Sequence, residues 1–153
     1  MDNSVEILKI ADTRLKEAKS LLKDGYYGGA FYLAGYSVEL YLKARICQNF
    51  GIADLFAKEC KTNIKGINDM RKAVKIHNIA LLLAFSGLNP KYEKLKDDAK
   101  NDKTKRKMLS NISLLTTEWN EEERYNPDDS VRHQKIKNMF NSLDDFLQWI
   151  KTN

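Results

Sequence analysis

The chain has 153 residues, close to one typical domain and long enough to bury a core without disulfide or metal staples. With 42% apolar and 31% charged residues it belongs with globular rather than disordered chains, and no apolar run approaches the ~18 residues that a membrane helix needs. The opening MDNSVEILKI lacks the basic start and apolar stretch of a signal peptide, so a cytoplasmic location is expected, with Cys47 and Cys60 as reduced thiols.

Ile7, Leu8, Ala11, Leu15, Ala18 and Leu22 recur at spacings of three and four, which predicts an amphipathic helix over residues 4–23. Asp2, Asn3 and Ser4 are its candidate caps, and Gly25 breaks it. Residues 28–49 are apolar nearly all round, as expected of a helix in the middle of a bundle. The short link over residues 25–29 makes these two helices antiparallel neighbours. Residues 50–69 read as a broken stretch, with one or two helical turns over 54–60 and a loop over 61–69. A third helix is expected over residues 70–86, stopped by Gly87 and Pro90. A fourth spans residues 92–119, with Met108, Ile112, Leu115 and Trp119 as its buried stripe and a very polar first half that invites a break. A loop over 121–129 surrounds Asn126-Pro127. The fifth helix starts at Asp128, Asp129 or Ser130 and turns Met139, Phe140, Leu143, Phe146, Leu147 and Ile150 inward. No sustained period-two run or Asn-Gly hairpin appears. The fold expected is all-α, an antiparallel bundle of four to five helices, with residues 1–153 as one domain.

Charge is uneven along the chain. Residues 61–107 carry 13 Lys and Arg against 5 Asp and Glu, whereas residues 1–60 balance at 8 each and residues 108–153 carry 5 against 8. The basic middle is densest at KNDKTKRK, residues 100–107. Such a run either attracts phosphate or is a solvated helix face. There is no GxxxxGK[ST] or GxGxxG loop to cradle phosphate, and two histidines and two cysteines stand at no metal-ligand spacing, so no cofactor or metal is expected.

The second helix carries the most informative pattern. At about 100° per residue, Tyr32, Tyr36, Glu39 and Lys43 fall within roughly 60° of one another, a polar stripe on an otherwise apolar element. Glu39 and Lys43 stand at i,i+4 in the favourable order. A buried ion pair is weak evidence for stability, because desolvation cancels much of its attraction. The stripe is therefore either a self-satisfied structural pair or the lining of a cleft or symmetric interface.

In this stretch the sequence DGYYGGAFYLAGYSVELYLKARI resembles the signature helix of the HEPN domain family, through Ala34-Gly35-Tyr36, Glu39 and Leu42-Lys43-Ala44-Arg45-Ile46. His77-Asn78-Ile79 followed by Leu81-Leu82, and Arg124-Tyr125-Asn126-Pro127, are similar to two further family features. The resemblance covers about residues 8–150. It implies a four- to five-helix bundle that dimerises. Family members bind nucleotides or act as metal-independent ribonucleases, often as toxins or defence effectors, many of them paired with a minimal nucleotidyltransferase. By this resemblance Tyr32, Tyr36, Glu39, Lys43, Arg124 and Tyr125 are expected to hold a nucleotide or an RNA phosphate.

Nuclease members resemble one another in an Arg followed, after four to six residues, by a His. There the His moves a proton at the ribose 2′-OH or the leaving oxygen, and the Arg neutralises phosphate charge. Arg71 and His77 have five residues between them, but Lys72 stands where the family usually has Asn, Asp or His, and the pair lies early in the chain. Arg124 and His133 lie in the later region with eight residues between them, and Arg132 directly precedes His133. The expectation is thus a module that binds a nucleotide or RNA phosphate in a cationic cleft, as a homodimer, with a nucleotidyltransferase-type or antitoxin partner in a toxin–antitoxin or defence system and no membrane contact. An active endoribonuclease and a non-catalytic dimerisation adaptor are the alternatives.

Overall fold

The computed structural model describes residues 3–153, so Asp2, one of the candidate caps, lies outside the described residues. Helix α1 (Ser4–Lys23) begins at Asn3, whose side chain accepts the Glu6 amide at 3.0 Å. This satisfies one of the donors that a helix start leaves open. Gly25, at φ +84°, turns the chain into α2 (Tyr27–Phe50). The α1–α2 hairpin is the largest packing unit of the fold. Ser37 Oγ, fully buried, donates to the Ala11 carbonyl at 2.8 Å and so ties the two helices at their centres.

Helix α2 is buried on nearly every side, including Phe31, Ala34, Val38, Leu40, Leu42, Ala44 and Ile46. Each large apolar side chain removed from water contributes about 1.5–3 kcal/mol. Burial also pushes the Cys47 thiol up to about 11, well away from the reactive range. The final helix, α7 (His133–Thr152), packs on α2 and on α6 (Lys103–Thr117), turning Met139, Leu143, Phe146, Leu147 and Ile150 inward as its periodicity predicts.

The other boundaries depart from the sequence reading in instructive ways. Residues 54–60 form turns rather than helical turns. Asp54 takes up their geometry: its carboxylate accepts from the Lys61 amide at 2.6 Å, Thr62 Oγ1 at 2.8 Å and Cys60 Sγ at 3.4 Å. Residues 67–69, expected in a loop, already belong to α3 (Ile67–Val74). The expected third helix is two helices, α3 and α4 (Ile79–Phe85), because Asn78 adopts an extended backbone and caps a fresh start through the Leu81 amide at 3.0 Å. The expected fourth helix is divided in its polar first half, where a break is expected, into α5 (Asn89–Asp98) and α6. Asp102 caps the second of them through the Lys105 amide at 3.0 Å. Within the expected 121–129 loop, residues Glu121–Tyr125 form a 3-10 turn capped by Asn120. A second short turn, Ser130–Arg132, follows Asp129 and leads into α7. The described residues thus hold seven α-helices and two 3-10 turns in an all-α bundle, and no helix among them is long and apolar enough to cross a membrane.

Candidate functional site

Glu39 is 1% exposed and Lys43 6%, so the charged half of the α2 stripe lies inside the bundle. Glu39 Oε1 accepts from Lys43 Nζ at 2.5 Å, and Lys43 Nζ also sits 5.5 Å from the Phe56 ring centroid. The second carboxylate oxygen of Glu39 is 3.0 Å from His77 Nδ1. His77 lies in the break between α3 and α4, and its side chain is 42% exposed. The other ring nitrogen, Nε2, is 3.0 Å from Glu121 Oε2 on the 3-10 turn. A buried carboxylate thus has a donor on each oxygen, and a half-exposed imidazole is held between two carboxylates. The Glu39 contact fixes the orientation of the ring through Nδ1.

The same 3-10 turn roofs the upper part of the stripe. Trp119, just before it, donates Nε1–H to the Tyr32 carbonyl at 3.1 Å. This contact depends on Gly35. A Cβ built there would stand 2.1 Å from Trp119 Nε1, so only hydrogen fits between the indole and the helix. The Tyr32 and Tyr36 rings lie 6.3 Å apart at 18°. Burial pushes the Tyr36 phenol above its ordinary value, and the negative charge of Glu39 adds to that. Arg124 is exposed, with its guanidinium 4.6 Å over the ring of Tyr125, itself 69% exposed, and beside the Tyr32 phenol.

Arg132 and His133 serve a neighbouring structure. Arg132 Nη1 donates to the buried Glu123 at 3.0 Å, and the guanidinium lies 4.7 Å over Phe31. Its Nε and Nη2 are buried without a hydrogen-bond partner among the described residues, although Nη2 forms a longer ion pair with Glu118 at 3.6 Å. His133 stacks on Tyr27 at 4.0 Å and places Nε2 3.0 Å from Asp128.

Of the residues singled out in sequence, Glu39, Lys43 and His77 meet in one cluster, and Tyr32, Tyr36, Arg124 and Tyr125 adjoin it along α2. Arg71 is engaged elsewhere: it donates to the carbonyls of Leu55, Ala57 and Lys58 and stitches that turn to α3. Among the described residues no hydrogen bond or ion pair joins Arg71 to His77, or Arg124 to His133. Glu121 was missed as a site residue. The acidic run 121–123 is visible in sequence, but its meeting with His77 is a tertiary contact that no local pattern announces.

The HEPN domain family model matches residues 4–153, nearly the whole chain. No curated protein and no solved structure matches it.

Proposed function

The chain belongs to the HEPN domain family, and from that membership we propose that it is a module binding a nucleotide or an RNA phosphate at Arg124, Tyr125 and Tyr32. The observation that carries this reading is Arg124 itself. It is exposed and lies on an exposed tyrosine, and no carboxylate hydrogen-bonds it among the described residues. Apart from its hydrogen bond with the Tyr32 phenol, a guanidinium stacked in this way keeps donor edges turned to solvent for phosphate, and the ring offers a surface for a base. Lys43, by contrast, is turned inward onto Glu39 and supports the site from beneath. Calorimetric titration with ribonucleoside phosphates and a short RNA tests the reading: Arg124→Ala and Tyr125→Ala should both weaken binding, and unchanged affinity in both overturns it.

We further propose that the module acts in the cytoplasm as a homodimer, beside a minimal nucleotidyltransferase or antitoxin partner in a toxin–antitoxin or defence system. The apolar faces of α2 and α7 are taken up by the core, so the surface supporting self-association is the outer face of α4, where Leu81 is 51% and Phe85 38% exposed. Light scattering on the protein and on Leu81→Glu/Phe85→Glu tests it, with a monomer at all micromolar concentrations as the contrary result.

A second reading, metal-independent ribonuclease, is favoured by the Glu39–His77 contact. A ring oriented through Nδ1 by a buried carboxylate is suited to proton transfer at Nε2. Glu121 occupies that nitrogen, so an RNA phosphate must first displace it. Chelator-resistant RNA cleavage that His77→Ala abolishes supports this reading; no cleavage by the unmodified protein removes it.

A further inference from the structure

On helices that contribute nothing to the α2 stripe, a surface cleft of about 470 Å³ is lined by Lys91, Lys94, Leu95, Asp98, Lys105, Trp149 and Asn153. Three cations thus surround an apolar floor, in the part of the sequence where positive charge is concentrated. The floor is aromatic and fixed in place. Trp149 stacks on the fully buried Phe146 with centroids 5.9 Å apart and planes at 8°, and Tyr92 meets its edge at 6.0 Å. Asp98 contributes a carboxylate to the lining. It is shared between Lys105 Nζ at 2.8 Å and Lys94 Nζ at 3.4 Å, and Lys91 donates to the Asn153 carbonyl. Exposed pairs of this kind hold their partners weakly, so an anion with more than one oxygen can recruit these ammonium groups.

A cationic rim around a fixed indole matches an anionic group joined to a flat ring. We propose that this cleft seats one nucleotide unit of a single-stranded nucleic acid, the base on Trp149 and the phosphate among Lys91, Lys94 and Lys105. An acidic peptide matches the lysines but makes no use of the aromatic floor; a bare polyphosphate has the same shortcoming. A base-plus-phosphate unit uses both, because stacking on an aromatic side chain tolerates any base while the lysines hold the backbone. The surface is separate from the Arg124 site, and the proposal stands whether or not that site binds a nucleotide.

The test uses the full chain and labelled single strands of about twelve nucleotides, RNA in one arm and DNA in the other, read by anisotropy. Indole quenching provides a second readout. Trp119 is only 5% exposed, so quenching by a bound strand should come from Trp149 and disappear in Trp149→Phe. Lys94→Glu/Lys105→Glu should weaken binding roughly tenfold or more, and the neutral Lys94→Gln/Lys105→Gln should make the salt dependence shallower by about two phosphate contacts. The neutral pair and circular dichroism guard against loss of fold. Arg124→Ala and Tyr125→Ala should leave the quench in place, which separates this surface from the α2 site. Tighter binding in the RNA arm identifies the strand as RNA, and equal binding in both arms identifies a backbone-and-base surface without preference for the sugar; each supports the proposal. It is overturned if the lysine variants bind as the unmodified protein does, if quenching persists in Trp149→Phe, or if a Glu-rich peptide or inorganic polyphosphate displaces the strand while quenching Trp149 equally.

Discussion

His77 Nδ1 lies 3.0 Å from Glu39 Oε2, so an imidazole at the surface is tied to a carboxylate in the interior of the bundle. Lys43 holds the other oxygen of that carboxylate. The two partners of Glu39 are therefore unequal: one is buried and one half-exposed.

Removing the acid leaves the buried ammonium of Lys43 without a counter-charge. Glu39→Ala should cost about 3–5 kcal/mol, the range for breaking a buried pair from one side. Lys43→Met should cost clearly less, because Glu39 keeps His77 and the methionine stem still packs on Phe56. Urea denaturation of the two variants gives the comparison. Equal losses refute the unequal roles.

Gly35→Ala reverses the usual helix-propensity gain. Alanine in a helix interior is ordinarily favoured over glycine by about 1 kcal/mol. Here the new methyl group meets Trp119, and overpacking of that kind costs about 1–3 kcal/mol. The variant should melt earlier and show a more exposed indole in fluorescence, with the Trp119–Tyr32 bond lengthened or lost.

Asp54 sets an acid limb for the loop that it anchors. The Lys61 amide, followed by the Thr62 hydroxyl, holds its carboxyl down at about 2, against roughly 3.9 in an unfolded chain. A carboxylate depressed in the folded state stabilises at every pH above the unfolded value. That contribution is lost as pH falls from about 4 through 2. Carboxyl titration by NMR should find Asp54 still ionised near pH 3, and Asp54→Asn should flatten the acid limb over that window.

Arg124 and His133 should separate cleanly. Arg124→Ala removes an exposed side chain, so stability should stay within about 0.5 kcal/mol while nucleotide affinity falls by about 1–3 kcal/mol. His133→Ala removes the stack on Tyr27, which should cost about 0.5–1.5 kcal/mol of stability. Its nucleotide affinity should change by less than that. Paired melting and calorimetry on both variants decide it.

Periodicity carried the reading of α1, α2 and α7 because each buries one continuous surface against its neighbours. It failed between residues 70 and 86 for a local reason. Asn78 is a cap residue inside a stretch whose apolar spacing suggests an unbroken helix, whereas Asp102 falls in the polar half that invites a break; in each case a single side-chain bond to the third amide onward restarts the helix. At Asn78 the signal was present in the residue type and was outweighed by the pattern around it. In the site, the Tyr32–Tyr36–Glu39–Lys43 stripe was legible because helical geometry alone aligns it. The His77 contact depends on the α3–α4 break, and it joins residues 38 positions apart. Spacing between Arg and His was a poor guide: Arg71 has the right interval to His77, yet its donors are held by backbone carbonyls.

Glu121 and Arg124 stand on a single short 3-10 turn, closed by two backbone bonds of 3.2 Å, from Glu123 to Asn120 and from Asn126 to Glu123. Two side chains on so small a unit travel together when it shifts. A ligand that drew the turn outward through Arg124 would lift Glu121 from His77 in the same movement, and one that displaced Glu121 by shifting the turn would reposition Arg124. Occupancy at the guanidinium and freedom of the imidazole Nε2 would then be linked quantities, each biasing the other by the same free energy.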